Sequence, residues 1–145
     1  MSSINFKVIG GIQGKQRPRF NRNTGRTYTP SKTHKYEDAI KAAYISKYPS
    51  GMWVQSKEQP IGIEIEFHFA MPYSWSMKKK KKYLGKYCLK HVDLDNCYKS
   101  VTDACNGVAY PDDSQIVYIQ AVKKVWDFTE FATVRLTELE EEDDE

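Results

Sequence analysis

The chain has 145 residues, 40% of them hydrophobic and ten of them tyrosine. That length and apolar content support one folded domain with its own core and exclude a disordered chain. The net charge of +3 hides an asymmetry: residues 1–36 hold eight Lys or Arg and no Asp or Glu, whereas Glu138 to Glu145 hold seven acids.

Ile4 to Ile9 alternates apolar and polar residues and reads as a first strand. Residues 10–30, rich in Gly, Arg, Asn, Thr and Pro, read as a long loop. Ser31 or Thr33 is the expected cap of a helix that runs to about Tyr48 and stops at Pro49-Ser50-Gly51, with Ala39, Ala43 and Tyr44 on its buried face. A polar connection over 50–59 leads into the clearest strand, Ile61 to Phe69. There Ile61, Ile63, Ile65, Phe67 and Phe69 share one face, and Gly62, Glu64, Glu66 and His68 the other. Residues 73–92 read as a basic, aromatic loop carrying Lys78 to Lys82. A second helix is expected from about Leu94 to Asn106, closed by Gly107. Leu94, Tyr98, Val101 and Cys105 form its apolar stripe, and Asp95, Lys99 and Asp103 a separate polar one. Ile116 to Val125 and Phe131 to Leu136 read as a closing hairpin.

The order is thus β-α-β-α-β-β, an α+β fold with a small mixed sheet and two main helices packed on it. One domain is expected over 1–137, and the acidic 138–145 reads as a disordered, solubilising tail. Without that tail, 22 basic residues stand against 12 acidic ones, so the folded body is strongly basic. Cys88, Cys97 and Cys105 are odd in number with no CxxC spacing, which argues against a disulfide framework or a zinc site. No apolar run reaches membrane-spanning length and the N-terminus lacks a signal-peptide core, so a soluble, cytoplasmic protein with no membrane contact is expected.

Between Asp93 and Gln115 stand five aspartates and, among them, Lys99. Gathered carboxylates repel one another unless a cation sits between them. Hard divalent ions such as magnesium take oxygen ligands of this kind. Asp93 and Asp95 flank Leu94 at a helix start, where the dipole favours anions. Asp112 and Asp113 follow Tyr110-Pro111 in a turn that leads into a strand. A helix start and a strand start can meet, so three or four carboxylates can converge on one or two metals. Such metals would activate a water and stabilise the leaving oxygen of a phosphodiester, with Lys99 adding positive charge near the phosphate. The plainer reading makes Asp95 a helix cap, pairs Lys99 with Asp95 and Asp103, and leaves Asp112-Asp113 an ordinary turn. Residue types alone leave both readings open, with their co-occurrence favouring the metal.

Lys15, Arg17, Arg19, Arg22 and Arg26 interleave with Phe20 and Tyr28 in one loop. Cations neutralise phosphates, and an aromatic ring can wedge into or stack on an opened base pair. Lys78 to Lys82 read as a solvated stretch adding non-specific attraction, flanked by Tyr73, Trp75 and Tyr83 as dimer contacts or core. His34, His68 and His91 form no ligand cluster, and His91 reads as a peripheral neighbour of the acidic pocket. No hydroxyl belongs to a triad pattern, and Gly10-Gly11 and Gly14 match no phosphate loop.

The run Asp93-Leu94-Asp95-Asn96-Cys97-Tyr98-Lys99, then Asp103-Ala104-Cys105, then Asp112-Asp113-Ser114-Gln115-Ile116, resembles the signature of the RusA family of Holliday-junction resolvases. Lys15-Gln16-Arg17-Pro18-Arg19-Phe20, Thr24-Gly25-Arg26, Tyr28-Thr29-Pro30 and Tyr36-Glu37 resemble the N-terminal half of phage-type members, which suggests a phage or prophage source in a bacterial cell. The likeness runs from residue 4 to about 136. It implies a RusA-like fold and a homodimeric endonuclease that uses Mg2+, with Mn2+ as a substitute and no small-molecule cofactor. Its expected partner is branched DNA, a four-way junction nicked symmetrically on two opposed strands. Carried over by motif, Asp93, Asp95 and Asp113 are the expected metal ligands and Lys99 the functional lysine. Asn96, Asp103 and Asp112 take supporting roles, and Lys15, Arg17, Arg19, Phe20, Arg22 and Arg26 are the expected DNA contacts. Cys97 and Cys105 depart from the usual larger aliphatics and are expected as small buried hydrophobes. The alternatives are a catalytically silent binder of branched DNA and a metal nuclease acting on flaps or forks.

Overall fold

A computed structural model describes residues 2–28, 30–90 and 92–141. The strands are β1 (Ser3–Ile9), β2 (Arg19–Asn21), β3 (Arg26–Tyr28), β4 (Ile61–Ala70), β5 (Ile116–Trp126) and β6 (Phe131–Glu138). The helices are α1 (Ser31–Lys47), α2 (Met77–Tyr83) and α3 (Leu94–Cys105), and a short 3-10 turn spans Asp113–Gln115. The fold is α+β, as expected.

The main sheet runs β1-β6-β4-β5. β6 is antiparallel to both β1 and β4, and β5 is parallel to β4. The expected hairpin of the last two strands is therefore wrong: β4 lies between them. The reason is apolarity. Ile61, Ile63, Ile65, Phe67 and Phe69 are all buried, so β4 takes a central place with a neighbour on each side. β5, mostly exposed over Val117–Gln120, occupies the edge.

The core fills one face of this sheet. α1 contributes Thr33, Tyr36, Ile40 and Tyr44, and α3 contributes Cys97, Val101, Ala104 and Cys105. The face of α1 is one step round from expectation, since the larger Tyr36 and Ile40 displace Ala39 to solvent. On α3 the buried stripe is centred on Cys97 and Val101, which leaves Leu94 and Tyr98 half-buried. All three cysteines are free and buried.

Two expected loops contain structure. Residues 10–30 carry the β2–β3 hairpin, turned by Gly25 in the left-handed region (φ 68°). Residues 73–92 carry α2, capped by Ser76 Oγ, which accepts the Lys79 N–H at 3.2 Å. α1 has no side-chain cap: Pro30 precedes it, and Thr33 Oγ1 accepts the Gln16 N–H instead. The chain order continues past the expected domain end at residue 137. Glu138 pairs with Ile61, and the Leu139 N–H donates to the Pro60 carbonyl at 2.9 Å. The tail residues 142–145 and His91 lie outside the described residues. Among those described, no helix is long and apolar enough to cross a membrane.

Candidate active site

The loop before α1 is laid directly on α3. The Lys15 N–H donates to the Asn96 carbonyl at 2.9 Å, and Ser100 Oγ donates to the Gln13 carbonyl at 3.0 Å. Gly14 makes the approach possible: a Cβ there would stand 3.2 Å from Asn96 Cβ and 3.3 Å from a Val92 methyl. This contact opens a cleft of about 520 Å3 lined by Lys15, Arg17, Asp95, Lys99, Asp103 and Asp113, among others. A second, of about 550 Å3, shares Lys15 and Arg17 with Asp93, Asp95 and Arg19. The structure thus brings Asp95, Lys99, Asp103 and Asp113 to one wall, with Asp93 in the adjoining space. Asp112 lines neither cleft.

Asp93 is the N-cap residue of α3, although its side chain makes no capping bond. Asn96 Nδ2 reaches back to Asp93 Oδ2 at 3.5 Å, the outer limit of a hydrogen bond. Asp95 does not cap the helix, and among the described residues Lys99 pairs with neither Asp95 nor Asp103. Asp103 instead meets Lys15 at 3.2 Å, and Lys15 also meets Glu37 at 2.6 Å. Burial pulls the Lys15 ammonium down, but its bonds to Glu37 and Asp103 leave its pKa raised. Lys15, expected as a phosphate contact, is engaged by two carboxylates. Arg17, Arg19, Phe20, Arg22 and Arg26 are exposed beyond it on the loop and hairpin.

Asp113 opens the 3-10 turn and is half-buried. Burial raises its pKa, as do the charges of Asp103 and Asp112, while a hydrogen bond from Tyr110 opposes them. The Tyr110 hydroxyl donates to Asp113 Oδ1 at 2.7 Å and lies 3.3 Å from the Thr102 carbonyl. It therefore ties the turn to α3 from beneath. Asp112 and Gln115 form a capping box around the same turn. Asp112 also accepts from Ser114, which lowers its pKa. Gln115 is buried, and its Nε2 donates to the Ser56 and Gln59 carbonyls at 2.8 and 3.1 Å. Sequence reasoning gave Tyr110, Gln115 and Glu37 no role. The only hint was their place inside or beside the signature segments.

The donor chemistry suits a hard cation, because all the candidate ligands are carboxylate oxygens. Among the described residues, however, no three His, Cys, Asp or Glu side chains stand close enough together to hold an ion as placed. The expected trio of Asp93, Asp95 and Asp113 is thus divided between two adjoining clefts.

Two comparisons bear on this arrangement. The sequence model of the endodeoxyribonuclease RusA family matches residues 10–137. An uncharacterised protein of Bacillus subtilis (strain 168), YqaN, is 30% identical over 132 residues, which covers 85% of this chain and 88% of that protein. The match takes in the β2–β3 hairpin, the whole of α3 and the Asp112–Gln115 turn, so the cleft lies inside the matched span. The chain belongs to the RusA family of endodeoxyribonucleases.

Proposed function

We propose that this protein is a magnesium-dependent endonuclease that binds four-way DNA junctions and, as a homodimer, nicks two opposed strands. The observation that carries the reading is the cleft that sets Asp95, Asp113 and Lys99 beside Arg17. A pure binder of DNA gains nothing from acids placed where phosphates must pass. Asp95 and Asp113, with Asp93 alongside, would hold the divalent ion, and Mn2+ fits the same oxygen donors. When bound, that ion supplies an activated water and charge stabilisation at the leaving oxygen.

The chain's own groups do the rest. Arg17 and Arg19 hold the phosphates of the strand against the mouth of the cleft. Lys99, unpaired with the acids beside it, stabilises charge on the reacting phosphate. Tyr110 fixes the Asp113 carboxyl by its hydrogen bond, and Lys15 occupies Asp103. Paired nicks need paired sites. The outer edge of β5 over Ile116–Val122 pairs with no strand among the described residues, and Val117, Tyr118 and Ile119 on it are exposed. A second copy would satisfy such an edge, and it begins only three residues after Asp113.

The test is a synthetic immobile four-way junction, a flap, a fork and linear duplex, each incubated with protein and Mg2+. The junction should be cut symmetrically and the duplex spared. Asp95→Asn should lower cutting by at least about 1000-fold while binding the junction as well as the unaltered protein does, since losing a negative charge does not weaken attraction to phosphate. Cutting by Asp95→Asn at the normal rate would sink the assignment. Equal cutting of flaps or forks would make the enzyme a broader nuclease, and no cutting with either metal would leave a silent binder.

A further inference from the structure

The lysine run lines neither part of the cleft and follows the C-terminal end of β4. Lys78 to Lys82 form most of α2, a helix with no buried residue and no acid in its first turn. Lysines three and four apart on a helix repel one another, and among the described residues none of these five pairs with a carboxylate. Their neighbours are aromatic rings. Lys79 lies 4.6 Å from the Trp75 ring, Lys80 4.7 Å from Phe128 and Lys82 5.5 Å from Tyr83.

Trp75 and Tyr83 are half-buried against the core, whereas Phe128 is exposed. Tyr73, 80% exposed, stacks flat on Phe128 with centroids 4.8 Å apart and planes 7° apart. Beneath α2 opens an apolar cavity of about 620 Å3 lined by Phe69, Met71, Trp75, Tyr83 and Leu89, the last 95% exposed. The acid at its edge, Glu130, is already occupied by Lys90 at 3.1 Å and by the backbone N–H groups of Ile12 and Ala70. The outer face of Tyr73 and the exposed cavity rim, beside cations with no carboxylate partner among the described residues, are complementary to one kind of ligand: a polyanion that carries flat apolar groups.

We infer that this surface binds an unpaired stretch of DNA strand, phosphates on the α2 lysines and bases on the outer face of Tyr73 and the cavity rim. Lysine ammonium groups neutralise phosphate, and exposed rings stack on bases that no complementary strand covers. Duplex DNA offers the phosphates but hides the base faces. The patch also leads to the cleft: Lys123 Nζ donates to the Lys90 and Val92 carbonyls at 2.7 and 2.8 Å, and Asp93 follows Val92. The inference rests on the DNA-cutting reading and extends it to a second contact that would hold the strand opened near a branch point.

The experiment uses full-chain protein carrying Asp95→Asn and a fluorescein-labelled oligothymidylate, with the four-way junction and a linear duplex alongside. A triple change, Lys78→Gln, Lys81→Gln and Lys82→Gln, should weaken oligothymidylate binding and lower the salt dependence of its affinity by about 2 in log–log slope. Tyr73→Ala should weaken the oligothymidylate about tenfold and leave the duplex unchanged. Unchanged oligothymidylate affinity in the triple variant, or a silent Tyr73→Ala, would overturn the inference. So would a variant that alters only sedimentation, which would make the patch a contact between protein copies. Arg17→Gln with Arg19→Gln separates the two readings: if that pair loses the junction while the α2 variant binds normally, only this inference falls. If no DNA binds to any of the proteins, both fall.

Discussion

Lys15 and the lysines of α2 carry the same charge and live in opposite circumstances. The Lys15 side chain is 20% exposed and clamped between Glu37 and Asp103. Of the α2 lysines, Lys79, Lys80 and Lys82 lie over rings, on a helix that buries nothing. A cation's role follows from its partners more than from its position in a basic stretch. Lys15 belongs to the scaffold that presents the acids, whereas Lys78 to Lys82 have charge still available to a ligand.

The largest expected effect tests that contrast directly. Lys15→Met strands two carboxylates that share one partner, and should lower unfolding free energy by about 2 kcal/mol. Lys78→Met, the same change on α2, should stay within about 0.5 kcal/mol. Urea midpoints of the two variants decide it, and equal shifts would erase the distinction. Because the Lys15 pKa is raised, its contribution is complete below the ordinary lysine value and fades only as pH rises through the folded one. The gap between the variants should therefore persist across neutral pH.

Next in size is Tyr110→Phe. It removes the hydroxyl that joins Asp113 to α3 and should cost about 1 kcal/mol. It also removes the bond that lowers the Asp113 pKa, so the acid limb of the pH–rate profile should move to higher pH. A loss of stability with an unmoved profile would mean that Tyr110 merely packs.

Asp113→Asn should have a smaller effect, and of the opposite sign. The folded Asp113 pKa is raised, first by burial. A raised carboxyl means that the folded state favours the proton, so stability falls as pH rises through that value. Asparagine carries no such charge and can still accept from Tyr110. The carboxyl is partly solvated, so screening reduces the gain to about 1–2 °C in Tm near neutral pH, vanishing near pH 3. Cutting should be lost in the same variant. A protein made steadier and inactive by one atom's change would set the acids of the cleft apart from ordinary scaffold.

Parts of this were readable from sequence because they depend on local periodicity. β4 alternates, and Asp95, Lys99 and Asp103 recur at helical spacing, so their shared wall could be read without a fold. The α2 helix was hidden because five lysines show no apolar period, although Ser76 before them was a usable capping signal. The last two strands misled because a short connection suggests adjacent pairing. Nothing local says that β4 would slip between them. Glu37 and Tyr110 escaped for the same reason: the Lys15–Glu37 pair and the Tyr110–Thr102 tie exist only once α1, α3 and the turn are packed together.

The smallest effect concerns a side chain that is kept from becoming a cation at all. His68 is buried on the outer side of β4, flat against Phe131 with centroids 4.3 Å apart, and edge-on to Trp126 at 5.0 Å. Burial lowers its pKa. Glu66, 3.1 Å from Nε2, works the other way, while the nearby charges of Lys124 and Lys7 add to the lowering. Its Nδ1 has no partner among the described residues, so a proton there would be buried unsatisfied. A lowered histidine supports folding above its ordinary value of about 6.5 and loses that support as pH falls through the folded value. His68→Phe keeps a ring on Phe131 and cannot titrate. Between about pH 7 and pH 5 the unaltered protein should therefore lose more stability than His68→Phe, by less than about 1 kcal/mol once screening is allowed for. Parallel urea midpoints across that range would instead mean that Glu66 compensates the charge fully, and that His68 belongs with Lys15 among the cations the fold has already matched.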